Sequence, residues 1–274
     1  MIQSKREGFV ARSTIVVILI MTLIPFLNML SASLQPATST PLGLSFPRHP
    51  QWSNFKVAFE GGHVWQLMRS SSSIVLVVVP LTLVFATLCG YAIAHLRVRG
   101  RNLIFLGLLL GLTIPFESLI IPLYYEVDSL GILNTQWALI FPLIGLFMPF
   151  SVIWMRAHFV QIPKELAEAA RVDGASAWQE FRRIQLPLAI PSISALALLV
   201  FLWTWNQFIL GVVLIDDPLK RTVAGALTFF QGQYYISIPL INAGALIIIM
   251  PTILIFIIFQ RQFIKALLQG AVKG

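Results

Sequence analysis

The residues of this 274-residue chain that could do chemistry fall in three places. Glu168-Ala169-Ala170 and Asp173-Gly174, with Leu186-Pro187 further on, lie in the one charged segment of any length between two long apolar runs. A carboxylate beside small residues offers a shallow face, and a glycine there lets another backbone come close. Trp203, Trp205, Asn206 and Gln207 set indoles beside amides. That combination suits a sugar, with ring faces for C–H patches and donors and acceptors for hydroxyls. The same residues also serve ordinary packing, indoles as interface belts and Asn as a hydrogen-bond partner of a neighbouring helix. Glu117 is the one acid inside an apolar run, near its end and past Pro115. It reads either as an interfacial carboxylate reaching water or as a group on a solute pathway.

Other chemistry finds nothing to attach to. The chain has no Gly-Lys dipeptide and so no Walker A phosphate loop. His49, His63, His95 and His158 are scattered without metal-ligand spacing, and no Ser/His/Asp or paired-carboxylate arrangement stands out. Cys89, the single cysteine, lies in an apolar run and reads as packing. The expectation is a non-enzyme that binds no cofactor and no metal itself.

The elements that must position these residues are membrane spans. The chain is 57% hydrophobic and 11% charged, against about 25% charged residues in a soluble domain. Its net charge of +8 comes from short basic clusters flanking apolar runs, a topogenic pattern that needs no nucleic acid. Six spans are predicted, over 14–34, 72–94, 103–124, 137–154, 192–214 and 240–259, each close to what crosses about 30 Å of hydrocarbon. Ser31-Ala32-Ser33 has the small residues of a cleavage site. The apolar run before it exceeds a signal-peptide core, so an uncleaved first span is expected. Fourteen of the 19 Lys and Arg fall at the N-terminus, between spans two and three, between four and five, and in the tail. The positive-inside rule then puts both termini and the 163–187 segment in the cytoplasm. No repeat is visible, and residues 1–274 read as a single all-α membrane domain. A short interfacial helix is predicted around Asn54 to Glu60.

The 163–187 segment reads as a helix–turn–helix elbow. Pro163 fits a first helical turn. Lys164 to Asp173 is free of Gly and Pro and rich in Ala, Glu and Leu. Gly174 supplies the left-handed residue that ends such a helix. Ser176 and Gln179 form a capping box for a second helix, Ala177 to Ile184. Leu186-Pro187 and Ile190-Pro191 should break the chain and restart it as a span. Glu168–Arg171 and Lys164–Glu168 are the surface pairs expected of it.

The spacing Glu168-Ala169-Ala170, three residues, Gly174, nine residues, Ile184-Gln185-Leu186-Pro187 resembles the EAA motif of type I ABC importer permeases. All seven specified positions are filled, a match with a chance on the order of 10⁻⁷ per start if each residue is drawn at about a tenth. Three further stretches resemble the maltose-type carbohydrate subgroup, with a MalG-like pattern. They are Ile121-Pro122-Leu123-Tyr124 with Leu130 to Thr135, Trp205-Asn206-x-Phe208, and Gln269 to Gly274. The resemblance implies a multi-pass permease of a bacterial or archaeal inner membrane, surrounded by membrane lipid. It would pair with a second, MalF-like permease, two MalK-like subunits that bind ATP and Mg, and an extracytoplasmic solute-binding protein. Lys164–Gly174 would be the coupling helix, with Glu168, Ala169, Ala170, Asp173, Gly174, Leu186 and Pro187 at or near the ATPase contact. The last outer loop, with Gln231, Gly232, Tyr234 and Tyr235, would face the binding protein, and the tail from Arg261 to Gly274 the ATPase. Two rival readings remain open here. One is an ABC permease for glycerophosphodiesters or amino acids, and the other an ion-coupled carrier acting alone.

Overall fold

The computed structural model describes residues 5–224 and 237–271, and it is almost wholly helical, with no strand among them. Helix α1 covers Lys5–Ser33, α2 Ser53–Gly61, α3 Val64–His95 and α4 Arg101–Thr113. A 3-10 turn, Phe116–Leu119, leads into α5, Ile120–Ser129, and α6 follows over Trp137–Gln161. The elbow consists of α7, Lys164–Val172, and α8, Ala177–Glu180. A π-helical turn at Phe181–Gln185 joins α8 to α9, Leu186–Trp205, before α10, Ile209–Leu214, and α11, Ile238–Ala271. Among the described residues five helical stretches are long and apolar enough to cross a membrane, or up to six with the bent α4–α5 pair counted as one span.

The chain forms two compact units. The first takes α1, the loop after it, α2 and the beginning of α11 through Met250. There the buried Asn54 amide donates to the carbonyls of Ser33, at 2.8 Å, and Gln35, at 2.7 Å. This fixes α2, one residue longer at each end than predicted, against the end of α1. Ser237 Oγ donates to the Ala37 carbonyl at 2.7 Å, and Ala243 packs on Ala58. The apolar side chains of α1 from Ile15 to Met21 stand exposed, a surface that suits lipid rather than water.

The second unit, α3 from Gln66 through residue 224 with the rest of α11, holds the larger core and both candidate sites. Leu139, Leu143, Met155 and Phe159 of α6 are fully buried, and α9 contributes Leu196 and Val200 to the same cluster. From α3 come Ile74, Val78 and Ala86. Close approach at Gly90 seats α3 on α6, since a Cβ there would lie 2.8 Å from both the Arg156 backbone nitrogen and Met155 Cβ. Neither neighbour is the free end of a flexible side chain. Gly90→Ala is therefore expected to destabilise the purified protein by about 1–3 kcal/mol, read as a lower thermal midpoint in detergent. Cys89, next along the same helix, is exposed rather than packed.

Several spans differ from the sequence reading, the third and the fifth most. The third is not one helix over 103–124, because α4 and the Phe116–Ser129 segment meet at 98°. Pro115 has no N–H to continue the helix, and it drives Ile114 into an extended conformation, ψ 121°. The fifth begins in the elbow and ends early. Helix runs continuously from Ala177 to Trp205, straight through Pro187 and Pro191, and stops nine residues before the predicted Leu214. Pro187 stands in the first turn of α9, where a missing N–H is tolerated, and the π turn before it keeps the backbone winding. At the other end Asn206 Nδ2 donates back to the Leu202 carbonyl at 2.8 Å and closes the helix. The fourth span extends to Gln161, past the predicted Trp154.

Candidate functional site

The elbow's local structure follows from its caps. Gly174 adopts φ +79°, and its N–H donates to the Arg171 carbonyl at 3.1 Å. The next amide, Ala175, reaches back to the Ala170 carbonyl at 2.9 Å, which completes a Schellman motif at the end of α7. Ser176 and Gln179 form the predicted capping box, Ser176 N–H donating to Gln179 Oε1 at 2.8 Å and Gln179 N–H to Ser176 Oγ at 3.3 Å. The turn between the two helices is thus held by four hydrogen bonds within the ten residues from Ala170 to Gln179.

Those caps decide which face α7 shows. Ala167 and Ala170 are buried, whereas Glu165, Glu168, Ala169 and Val172 are exposed at the spacing of one helix face. Val172 is 86% exposed, an apolar side chain left in the open beside Asp173 and Gly174. Among the named motif residues, Glu168, Ala169, Asp173, Gly174 and Pro187 are exposed, Leu186 is half-buried, and Ala170 turns inward. Trp178, on α8, is also exposed. Trp178 escaped the sequence reading, and Val172 entered it only as part of the Val172-Asp173-Gly174 run rather than as an exposed contact, although a Val and a Trp in an otherwise polar elbow were visible there.

A polar strut fastens the elbow to α3. Arg171 Nε donates to Glu180 Oε2 at 3.1 Å, the Glu180 side chain wholly buried and Arg171 57% exposed. Tyr91 Oη, from α3, lies 3.4 Å from Glu180 Oε1 and 3.3 Å from the Ala177 carbonyl. The Tyr91 ring packs on Phe181 and Phe159, with centroids 4.8 and 5.7 Å away. Arg171 thus pairs across the Gly174 turn rather than with Glu168. One residue before Leu186-Pro187, Gln185 is fully buried in the π turn, and neither amide atom has a hydrogen-bond partner among the described residues.

The second candidate site is a cavity of about 610 Å³ between α4, the turn after it, α6 and α9. Its size is that of a small-molecule site. Its walls are mostly apolar, and Trp203, Asn206 and Gln207 supply the polar edge. Trp203 is 37% exposed and rests on Phe147 and Phe150, ring centroids 5.5 and 5.0 Å away. Trp205 is elsewhere, 4% exposed and stacked on Phe201. Two residues apart on a helix means opposite faces, so only one of the two indoles can line the cavity. Glu117 sits exposed on the 3-10 turn after Pro115, where its neighbours Phe116 and Leu119 line the cavity and it does not.

Gln231, Gly232, Tyr234 and Tyr235 lie outside the described residues. The chain leading toward them is tied down at several points. Asn134 Nδ2 donates to Asp216 Oδ2 at 2.9 Å, Arg221 Nε to the Ile215 carbonyl at 2.7 Å, and Ser70 Oγ to the Lys220 carbonyl at 2.8 Å.

The chain's sequence matches a known family. Residues 83–269 fit the model for the binding-protein-dependent transport system inner membrane component. The chain belongs to that family. It is an inner-membrane transport component that crosses the membrane several times, not an enzyme. The arabinooligosaccharides transport system permease protein AraQ of Halalkalibacterium halodurans is 36% identical over 255 residues, 91% of each chain. The trehalose transport system permease protein SugB of Mycobacterium tuberculosis is 33% identical, over 92% of this chain and 93% of its own. In three dimensions the chain resembles one from the crystal structure of a bacterial ABC transporter involved in the import of the acidic polysaccharide alginate. That match has a TM-score of 0.80 at 21% identity and covers 96% of this chain and 99% of the other.

Proposed function

We propose that this chain is the permease subunit of an ATP-driven importer for a sugar or oligosaccharide delivered by an extracytoplasmic binding protein. The observation that carries the reading is the exposed face of α7, with Glu168, Ala169, Val172 and Gly174, joined by one short turn to the 29-residue helix Ala177–Trp205. A partner moves a two-state bundle only through a contact that differs between the states, and this face offers one. Its partner would be one of two ATP-hydrolysing, MalK-like subunits, with a second, MalF-like permease completing the pathway. Residues 1–274 would then act as one permease domain, both termini and the elbow in the cytoplasm, as the charge distribution favours.

Carbohydrate is the favoured solute for two reasons. Two relatives that match over nine tenths of the chain carry the names of arabinooligosaccharide and trehalose permeases. The cavity edge also has the chemistry a sugar needs, the Trp203 indole next to the amides of Asn206 and Gln207.

Reconstitution of the whole assembly tests this. Labelled oligosaccharide uptake should require ATP on the side of the ATPase and survive collapse of proton and sodium gradients. Uptake by this chain alone, driven by an ion gradient, would replace the reading with an ion-coupled carrier. Within the assembly, Trp203→Ala is expected to weaken sugar handling about tenfold, seen as a raised half-saturating concentration. Trp205→Phe should leave that value unchanged, because its ring serves the core.

A further inference from the structure

We propose that the cavity where α3 ends, α4 begins and α6 nears its end binds a phosphate-bearing anion, either a phospholipid head group or a soluble phosphate. The cavity has a volume of about 280 Å³, roughly nine water volumes, enough for a phosphate with part of its hydration. Arg101, Arg156, His95 and Asn102 line it. Its walls include no acidic residue, and neither do the chain segments that supply them, 93–105 and 153–162.

Among the described residues no acidic side chain pairs with either arginine. The Arg156 guanidinium lies over the Phe105 ring, 4.2 Å from its centroid, which orients it without satisfying its charge. Its Nε is buried and has no hydrogen-bond partner among the described residues. A guanidinium buried on one face and open to a cavity on the other is a poor resting state unless an anion supplies acceptors. Arg101 opens α4, whose amino-terminal end adds partial positive charge and whose cap residue, Gly100, offers no side-chain acceptor. His95 is committed differently, its Nε2 hydrogen-bonded to the Phe159 carbonyl at 3.1 Å, so it shapes the wall.

The position selects the ligand class. The ends of α3, α4 and α6 surround this cavity, and the ends of membrane-crossing helices lie near the level of phospholipid phosphates. Arg97 and Arg99 stand exposed in the α3–α4 turn outside the lining and add long-range attraction only.

The test uses the assembled transporter in detergent. Native mass spectrometry with added phosphatidylglycerol or phosphatidylcholine measures lipid binding, and calorimetry measures inorganic phosphate. Wild-type protein should retain phosphatidylglycerol over the zwitterionic lipid if the source is a membrane lipid, or bind inorganic phosphate if it is soluble. In either arm the pair Arg101→Gln and Arg156→Gln is expected to weaken binding about tenfold to thirtyfold. Arg97→Gln with Arg99→Gln removes the same charge from outside the cavity and should cost less than about threefold. Arg156→Lys keeps the charge and should retain most of the affinity, which separates a lost ligand group from a misfolded chain. Equal losses for the two double variants, or no loss for the cavity pair in either arm, would overturn the proposal.

Discussion

Gly174→Asp is expected to abolish solute-stimulated ATP hydrolysis in the assembled transporter, by more than about tenfold, while the chain still inserts. Two properties of the position can be separated. Its φ of +79° is a left-handed conformation that costs an ordinary L-residue about 1–2 kcal/mol, less for Asn and Asp. A Cβ built there meets nothing within 4 Å, so this chain itself leaves the space free. If backbone strain were the whole story, Gly174→Ala would do more harm than Gly174→Asn or Gly174→Asp. If the space belongs to a docked ATPase, bulk and charge decide, and Gly174→Asp is the worst of the three. Glu168→Lys inverts the charge on the same exposed face and should fail in the same way, with assembly weakened rather than folding. Normal stimulation in both Gly174→Asp and Glu168→Lys, in complexes of normal composition, would remove α7 as the point where motion enters.

The elbow was legible because each of its devices is local. A left-handed Gly, a capping box and the residues between them are set by neighbours within a few positions, and the structure shows both caps. Spans were legible only as apolar lengths. Hydropathy registers side chains and misses the backbone, so Pro115 inside an apolar window looked tolerable, whereas its effect on Ile114 turns the path by 98°. At Pro187 the error ran the other way. A proline expected to break the helix falls in a first turn after a π-helical stretch, and α8 is continuous with the span. In the cavity, adjacency in sequence stood in for adjacency in space, and Trp205 was grouped with Trp203 although a helix sends them to opposite sides. The strut could not be read at all. Arg171, Glu180 and Tyr91 meet only because the Gly174 turn folds α8 back and α3 packs alongside, a tertiary event with no signature in spacing.

That strut supports the second large effect. Arg171→Ala leaves the Glu180 carboxylate buried with Tyr91 as its one remaining side-chain partner among the described residues. Breaking a buried pair from one side costs about 3–5 kcal/mol, and solvent access to Arg171 puts this case at about 3 kcal/mol. A lower thermal midpoint of the purified assembly is the readout. Replacing both partners, Arg171→Met with Glu180→Leu, removes the stranded charge and should recover most of that stability. The double variant then isolates the mechanical question. If the pair only stabilises the fold, sugar moved per ATP returns with the thermal midpoint. If it ties the elbow to α3 so that a push on α7 reaches the bundle, the recovered protein still hydrolyses ATP but moves less sugar for each one. The buried geometry of Glu180 against both α3 and the elbow favours the second result, and full recovery of the transport ratio would reduce the strut to a packing device.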